Sequence, residues 1–339
     1  MLRRLLVTML LATGLWSDAS VAAEPAIKIK MMSVWQAGTV PFKVFEQFAE
    51  DVKKKSGGRL IIQPAPGGSI VATSEALDAV SSGVLNAEYG CGGYAAGKDP
   101  AFALLNDPQG GFESPKQMRD WLEHGGGLAL ARELYQRFNA FFITGTWYGV
   151  ESLVSKKPLS GVVDFKGLKI RAPVGIGQDI FKLLGAAPVN IPGSEVYTSL
   201  ERGVVDASDW STLSMNQELG YHKLAKYPTY PGFHSMPMGE MAMNLKKWNT
   251  LPDDLKTLLE ASVKEFSNNL VERTRVDDER VAKDAKALGI EPINWSVEER
   301  RKFRSLARGV WKQYASRSDM AKKINDSQVA YLAKLGLLE

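Results

Sequence analysis

SEALDAVSSGVLNA, residues Ser74 to Ala87, returns in altered form as SEVYTSLERGVVDA, residues Ser194 to Ala207, 120 positions later. In each copy a serine opens a short helical run, a glycine closes it, and an apolar strand follows. Serine side chains satisfy the free N–H groups of a helix start, and glycine adopts the left-handed geometry that ends one. A strand ending in proline and glycine precedes each copy, Leu60 to Gly67 and Leu168 to Gly175. Two matched units in the same order predict two similar α/β lobes rather than one large domain.

The bulk numbers agree with that division. The chain has 339 residues, 45% hydrophobic and 24% charged, enough for two cores. Its net charge of +4 is spread without a long basic run, which argues against nucleic acid as a partner. Met1-Leu2-Arg3-Arg4, the apolar stretch Leu5 to Trp16 and the small residues Ser20 to Ala23 read as a signal peptide over residues 1–23. That stretch is too short to span a membrane, and no later one is apolar enough to do so. The mature chain is therefore expected to be soluble and exported. Its one cysteine, Cys91, excludes an internal disulfide.

Along the mature chain, lobe I is expected at 24–148, with part of 235–275 returning to it, and lobe II at 149–234. Asp253 to Leu288 contains neither glycine nor proline. As one helix it would be about 54 Å long, enough to bridge both lobes at 253–288. Ser296-Val297-Glu298-Glu299 reads as a capping box, and 289–339 is expected to hold a strand and helices.

Several catalytic motifs fail on inspection. Gly92 to Lys98 has the spacing of a phosphate-binding P-loop, but Asp99 stands where a magnesium-holding Ser or Thr belongs. A carboxylate there repels phosphate. Gly175-Ile176-Gly177 lacks the third glycine of a dinucleotide fingerprint, since Ile180 occupies it. His124, His222 and His234 show no metal-ligand spacing, and no Gly-x-Ser-x-Gly elbow is present.

The strand ends carry more. Leu168 and Ile170 alternate with Lys169 and Arg171 before Pro173 stops the strand, so Arg171 lies where open α/β sheets bind ligands. From this stretch alone, a surface arginine reads equally well. Glu88 to Tyr94 and Ser208 to Thr212 follow equivalent strands and can face each other across one cleft. Glycines there permit close approach, and Tyr and Trp offer apolar walls with polar tips. Trp210 also reads as a core aromatic, Asp209 as the cap of a helix beginning near Ser211, and Glu151 as the partner of Lys156.

Together these features resemble the solute-binding proteins of tripartite ATP-independent periplasmic (TRAP) transporters, the DctP-like family. The resemblance is carried by Phe165 to Pro173, Gly185 to Val189, Glu195-Val196-Tyr197 and Leu200 to Ala207. Gly97 to Ala101, Trp121 to Gly126 and Gly220 to Tyr227 are similar to the branch that binds 2-oxo acids and other monocarboxylates. The resemblance implies a Venus-flytrap, periplasmic-binding-protein fold of two α/β lobes with a long bridging helix. It implies capture of a small organic acid and delivery to membrane subunits, with no catalysis and no organic cofactor. It also implies that Arg171 clamps the ligand carboxylate, since its planar fork suits two oxygens and stays protonated.

Gly92, Gly93, Tyr94, Asp209, Trp210 and Glu240 are expected beside the ligand on the same ground, and Trp147 and Tyr148 against its tail. In the 2-oxo acid branch a metal ion bridges protein and ligand, which assigns Glu151, Asp209 and Trp210 as its holders. Glu151 replaces an expected glutamine and adds a negative charge. Calcium (Ca2+) suits this oxygen set, with sodium (Na+) as the alternative. Monomer and homodimer both remain open. The competing reading is a secreted hydrolase acting on a small carboxylated substrate.

Overall fold

The computed structural model describes residues 25–338. The expected signal peptide lies outside the described residues. Among them, no helix is long and apolar enough to cross a membrane.

The expected two-lobed α/β fold is observed. Strands β1 (Ile27–Ser33), β2 (Leu60–Ala65), β3 (Ala87–Cys91) and β4 (Ala140–Thr146) belong to the first sheet. Strands β5 (Ser152–Ser155), β6 (Lys169–Arg171), β7 (Ala187–Val189) and β8 (Ala207–Ser211) make the second, and β9 (Gly239–Asn244) returns to the first. The orders are β2-β1-β3-β9-β4 and β5-β8-β6-β7. Each sheet has a parallel triplet, β2-β1-β3 or β7-β6-β8, extended by antiparallel strands.

The sequence repeat is real at the level of backbone. Turns Thr73–Glu75 and Gly193–Glu195 lead into helices Ala76–Ser82 and Val196–Glu201, and then into β3 and β8. Gly83 and Gly203 take left-handed φ values of 84° and 71° between helix and strand. Two details correct the expectation. Ser74 and Ser194 lie inside tight 3-10 turns, and neither helix has a side-chain cap bond at its start. The 3-10 turn absorbs the chain entry that a serine cap was expected to make. The strand that corresponds to β6 is β1, not β2: Met31 pairs with Ala87 as Ile170 pairs with Ala207. Arg171 therefore ends an inner strand of its sheet, flanked on both sides.

The lobes are joined by two adjacent crossings, and Glu151 N–H in one donates to the Ser235 carbonyl in the other at 2.9 Å. The long helix runs Asp253–Lys283, 31 residues, or about 46 Å. Its first half packs Leu259, Val263 and Phe266 into the core of lobe I beside Phe48 and Tyr89. Further along, Val281 packs with Leu213 of lobe II. A short turn, Ala285–Leu288, follows and ends at left-handed Gly289. The strand expected beyond it reduces to a single bridge between Ile293 and Thr229. Ser296 does accept from Glu299 N–H at 3.2 Å, opening helix Val297–Ala315, and Asp319–Lys334 closes the described chain.

Candidate ligand-binding site

Arg171 is buried at the end of β6. Its Nε donates to the Ile191 carbonyl at 2.9 Å and Nη1 donates to the Asp209 carbonyl. The guanidinium lies over the Trp210 ring, 4.9 Å from its centroid. Two of its five N–H groups are thus held by backbone, which fixes the plane of the fork. Trp210 in turn lies against Gly193, where any side chain would overlap the indole ring.

Arg171 forms part of the wall of a cavity of about 150 Å3 between the lobes. A cavity of that volume accommodates a molecule the size of benzene. Trp35, Tyr94, Tyr148 and Trp210 give it aromatic sides, and Asp107, Glu151 and Asp209 make one end acidic.

The acidic end is closely knit. Asp209 Oδ1 lies 2.9 Å from His234 Nε2, in a contact whose donor is set by the imidazole tautomer. Tyr148 Oη donates to Glu151 Oε1 at 2.7 Å. Ser235 Oγ stands 2.6 Å from Glu151 Oε2 and 2.7 Å from Asp107 Oδ2. A hydroxyl has one hydrogen to donate, so one of those two acids must supply its own. Burial, with the Asp209 charge beside it, holds the Glu151 carboxyl well above its usual range. Burial also pushes Asp107 up to about 7, against the pull of its bonds from Ser235 and Met236 N–H. For Asp209 the burial cost is outweighed by His234, Glu151 and Arg171, and its pKa falls below the usual value.

A cation fits this donor set. Glu151, Asp209 and His234 each offer one ligand atom, and the three atoms lie within 4.8 Å of one another.

The wall contains Gly93, Tyr94, Tyr148, Glu151, Arg171, Asp209 and Trp210 from the sequence expectation. Gly92, Trp147 and Glu240 lie elsewhere. Trp147 adjoins Tyr148 just past the end of β4, and the two side chains have different surroundings: Tyr148 lines the cavity and Trp147 does not. Its ring is in the core, 3.4 Å from Met118 Sδ through Nε1. Glu240 faces away from the cavity that its neighbour Gly239 lines, and accepts from Gly92 N–H at 2.8 Å. Glu88 and Glu240 close on Gly90, where a Cβ would stand 2.9 and 2.6 Å from their carboxylate oxygens. Burial pushes Glu240 up to about 7, and burial plus the Glu240 charge holds Glu88 well above its usual range.

The competing readings of single residues also resolve. Asp209 is on a strand, and the following helix begins only at Leu213 after Thr212. Lys156 donates to the Leu200 carbonyl at 2.5 Å, not to Glu151. Sequence reasoning missed Asp107, His234 and Ser235, which sit in irregular segments with no spacing pattern to single them out. Nothing here favours hydrolysis. Burial pushes the Cys91 thiol up, away from the thiolate that nucleophilic attack requires, and Ser235 sits between carboxylates rather than against an imidazole.

Comparison with known proteins gives a consistent picture. A family model described as bacterial extracellular solute-binding protein, family 7 (DctP), matches residues 31–318. A monocarboxylate 2-oxoacid-binding periplasmic protein of Nostoc sp. is 28% identical, over 91% of this chain and 85% of the relative. The structure of a TRAP periplasmic solute-binding protein from Rhodobacter sphaeroides, in an apo open form, is 40% identical with a TM-score of 0.80. It is matched over 92% of this chain and 99% of that one. A TRAP protein from Colwellia psychrerythraea, solved with bound calcium and pyruvate, is 25% identical with a TM-score of 0.82 and is matched over 92% and 95%.

Proposed function

The chain belongs to the DctP family of bacterial extracellular solute-binding proteins, and on that premise we propose that it captures a small monocarboxylate, a 2-oxo acid or a close relative, in the periplasm and delivers it to TRAP membrane subunits. The supporting observation is Arg171: a buried, backbone-braced guanidinium with three N–H groups beyond the two held by carbonyls, in the wall of a small cavity between lobes. A carboxylate is the partner that such a fork recognises in two-pronged fashion. The cavity volume suits a ligand of few heavy atoms, and the aromatic sides suit its apolar part.

The acidic end takes a cation together with the ligand. Glu151 and Asp209, with His234 beside them, would hold it together with the Trp210 carbonyl. Calcium, or sodium in its place, would supply positive charge there that offsets the acids and favours an anionic ligand. The protein's own residues do the rest: Arg171 orients the carboxylate, and Tyr148 and Ser235 hold Glu151 in place. The ligand leaves chemically unchanged.

A thermal-shift panel of small monocarboxylates, run with calcium and with recovery of the added acid, tests this reading. A large upward shift with pyruvate or a near relative, and intact acid afterwards, is expected. No shift with any member of the panel, or conversion of the acid, overturns it.

A further inference from the structure

Asp278 lies on the long bridging helix, outside the cavity wall, and is buried. Its Oδ1 accepts from Ser214 N–H at 2.7 Å and from Ser214 Oγ at 2.5 Å. Ser214 is the second residue of helix Leu213–Glu218, whose own cap residue, Thr212, makes no side-chain cap bond. A helix start has N–H groups without partners and a partial positive charge, both of which a carboxylate satisfies. Here the cap comes from another element altogether.

That element ties two distant regions together. The first half of the bridging helix is embedded in lobe I, while helix Leu213–Glu218 directly continues β8, which carries Asp209 and Trp210. The end of β8 is also tied to helix Leu213–Glu218 by Asn216, which donates to the Ser152 and Ser211 carbonyls at 2.9 and 3.0 Å. β8 then holds Arg171 through the Asp209 carbonyl. Thr212 is also wedged near Gly149 of the interlobe crossing, where a Cβ would be 3.2 Å from its methyl group.

We propose that Asp278 is a positioning residue for ligand capture: it fixes the ligand-facing end of β8 to the bridging helix, so that the Arg171 fork and Asp209 keep their spacing. The proposal rests on the reading of Arg171 and Asp209 as ligand groups, but its structural half stands on the free protein.

Two variants test it. Asp278→Ala removes the acceptor, and Asp278→Asn keeps an oxygen for Ser214 N–H. Amide exchange of the segment 207–219 is followed in the free protein, and binding of pyruvate with calcium is followed by calorimetry. The expected result for Asp278→Ala is at least tenfold faster exchange in that segment, unchanged exchange in lobe I, and about tenfold weaker binding. Asp278→Asn should restore most of both. A folded Asp278→Ala protein with parental exchange and parental affinity overturns the proposal, as does an Asp278→Asn variant as impaired as Asp278→Ala. If the parent binds no pyruvate, the ligand reading fails while the exchange result still decides the role of Asp278.

Discussion

The Arg171 guanidinium does not form an ion pair with the Asp209 side chain: it donates to the Asp209 backbone carbonyl, while the carboxylate is held by His234 at 2.9 Å. The charge of Arg171 therefore remains available to an incoming anion. Replacing it removes the one cation of the wall that matches a carboxylate fork. Arg171→Ala is expected to cost about 2–5 kcal/mol of pyruvate affinity. Arg171→Lys should recover little, because an ammonium cannot make the two-pronged contact. Calorimetry on folded variants checks both values, and parental affinity in either variant removes Arg171 from the ligand.

The cation reading makes its own demand. Burial and the Asp209 charge favour the protonated form of Glu151 in the free site, and a cation beside Asp209 would favour the ionised form that can hold it. Pyruvate titrations after exhaustive chelation should show at least tenfold weaker binding, restored by calcium or sodium. Glu151→Gln keeps the shape of the site but removes a charge, and should weaken the dependence on the ion. Equal affinities across all these conditions exclude a bridging ion.

Glu240 predicts a pH effect away from the ligand. Its folded pKa is about 7, above the value of 4.5 for a free glutamate. Between these values the folded protein holds a proton that the unfolded chain has released. This contribution is complete below about 4.5 and is lost as pH rises through 7. Glu240→Gln imitates the protonated acid and still accepts from Gly92 N–H. It should gain on the parent by about 1–3 kcal/mol between pH 5 and pH 8. Urea unfolding at several pH values measures the difference, and a constant gap across that range contradicts the account.

Trp147 and Tyr148 separate function from packing in adjacent positions. Trp147→Ala should lower stability by about 3–5 kcal/mol through loss of core volume. Tyr148→Phe deletes only the hydroxyl on Glu151 and should weaken pyruvate binding severalfold with little change in melting temperature. Paired melting and calorimetry decide between them, and the reverse pattern contradicts the placement of the two rings.

What was legible in the sequence follows from what is local. The helix–glycine–strand repeat needs only short-range patterning, so both lobes, the left-handed Gly83 and Gly203, and the strand end carrying Arg171 were readable. The pairing of β6 was not, because which strand corresponds to which is a matter of sheet order. Gly92, Trp147 and Glu240 were expected beside the ligand from the resemblance, but strand alternation turns Glu240 away from the cavity that Gly239 lines, the Gly92 N–H is taken by Glu240, and the Trp147 ring is in the core. Asp107, His234 and Ser235 come together only through the interlobe crossing, and no spacing along the chain encodes that meeting.

The proposed function has the cleft hold a small organic acid through Arg171. Its most direct test is mass spectrometry of the small molecules carried by protein purified from its host, alongside the Arg171→Ala variant. One organic acid per chain, released intact on unfolding and missing from the folded variant, is expected. A parent protein that carries no acid and acquires none from a monocarboxylate mixture, or a folded Arg171→Ala variant that carries the same acid in the same amount, contradicts it.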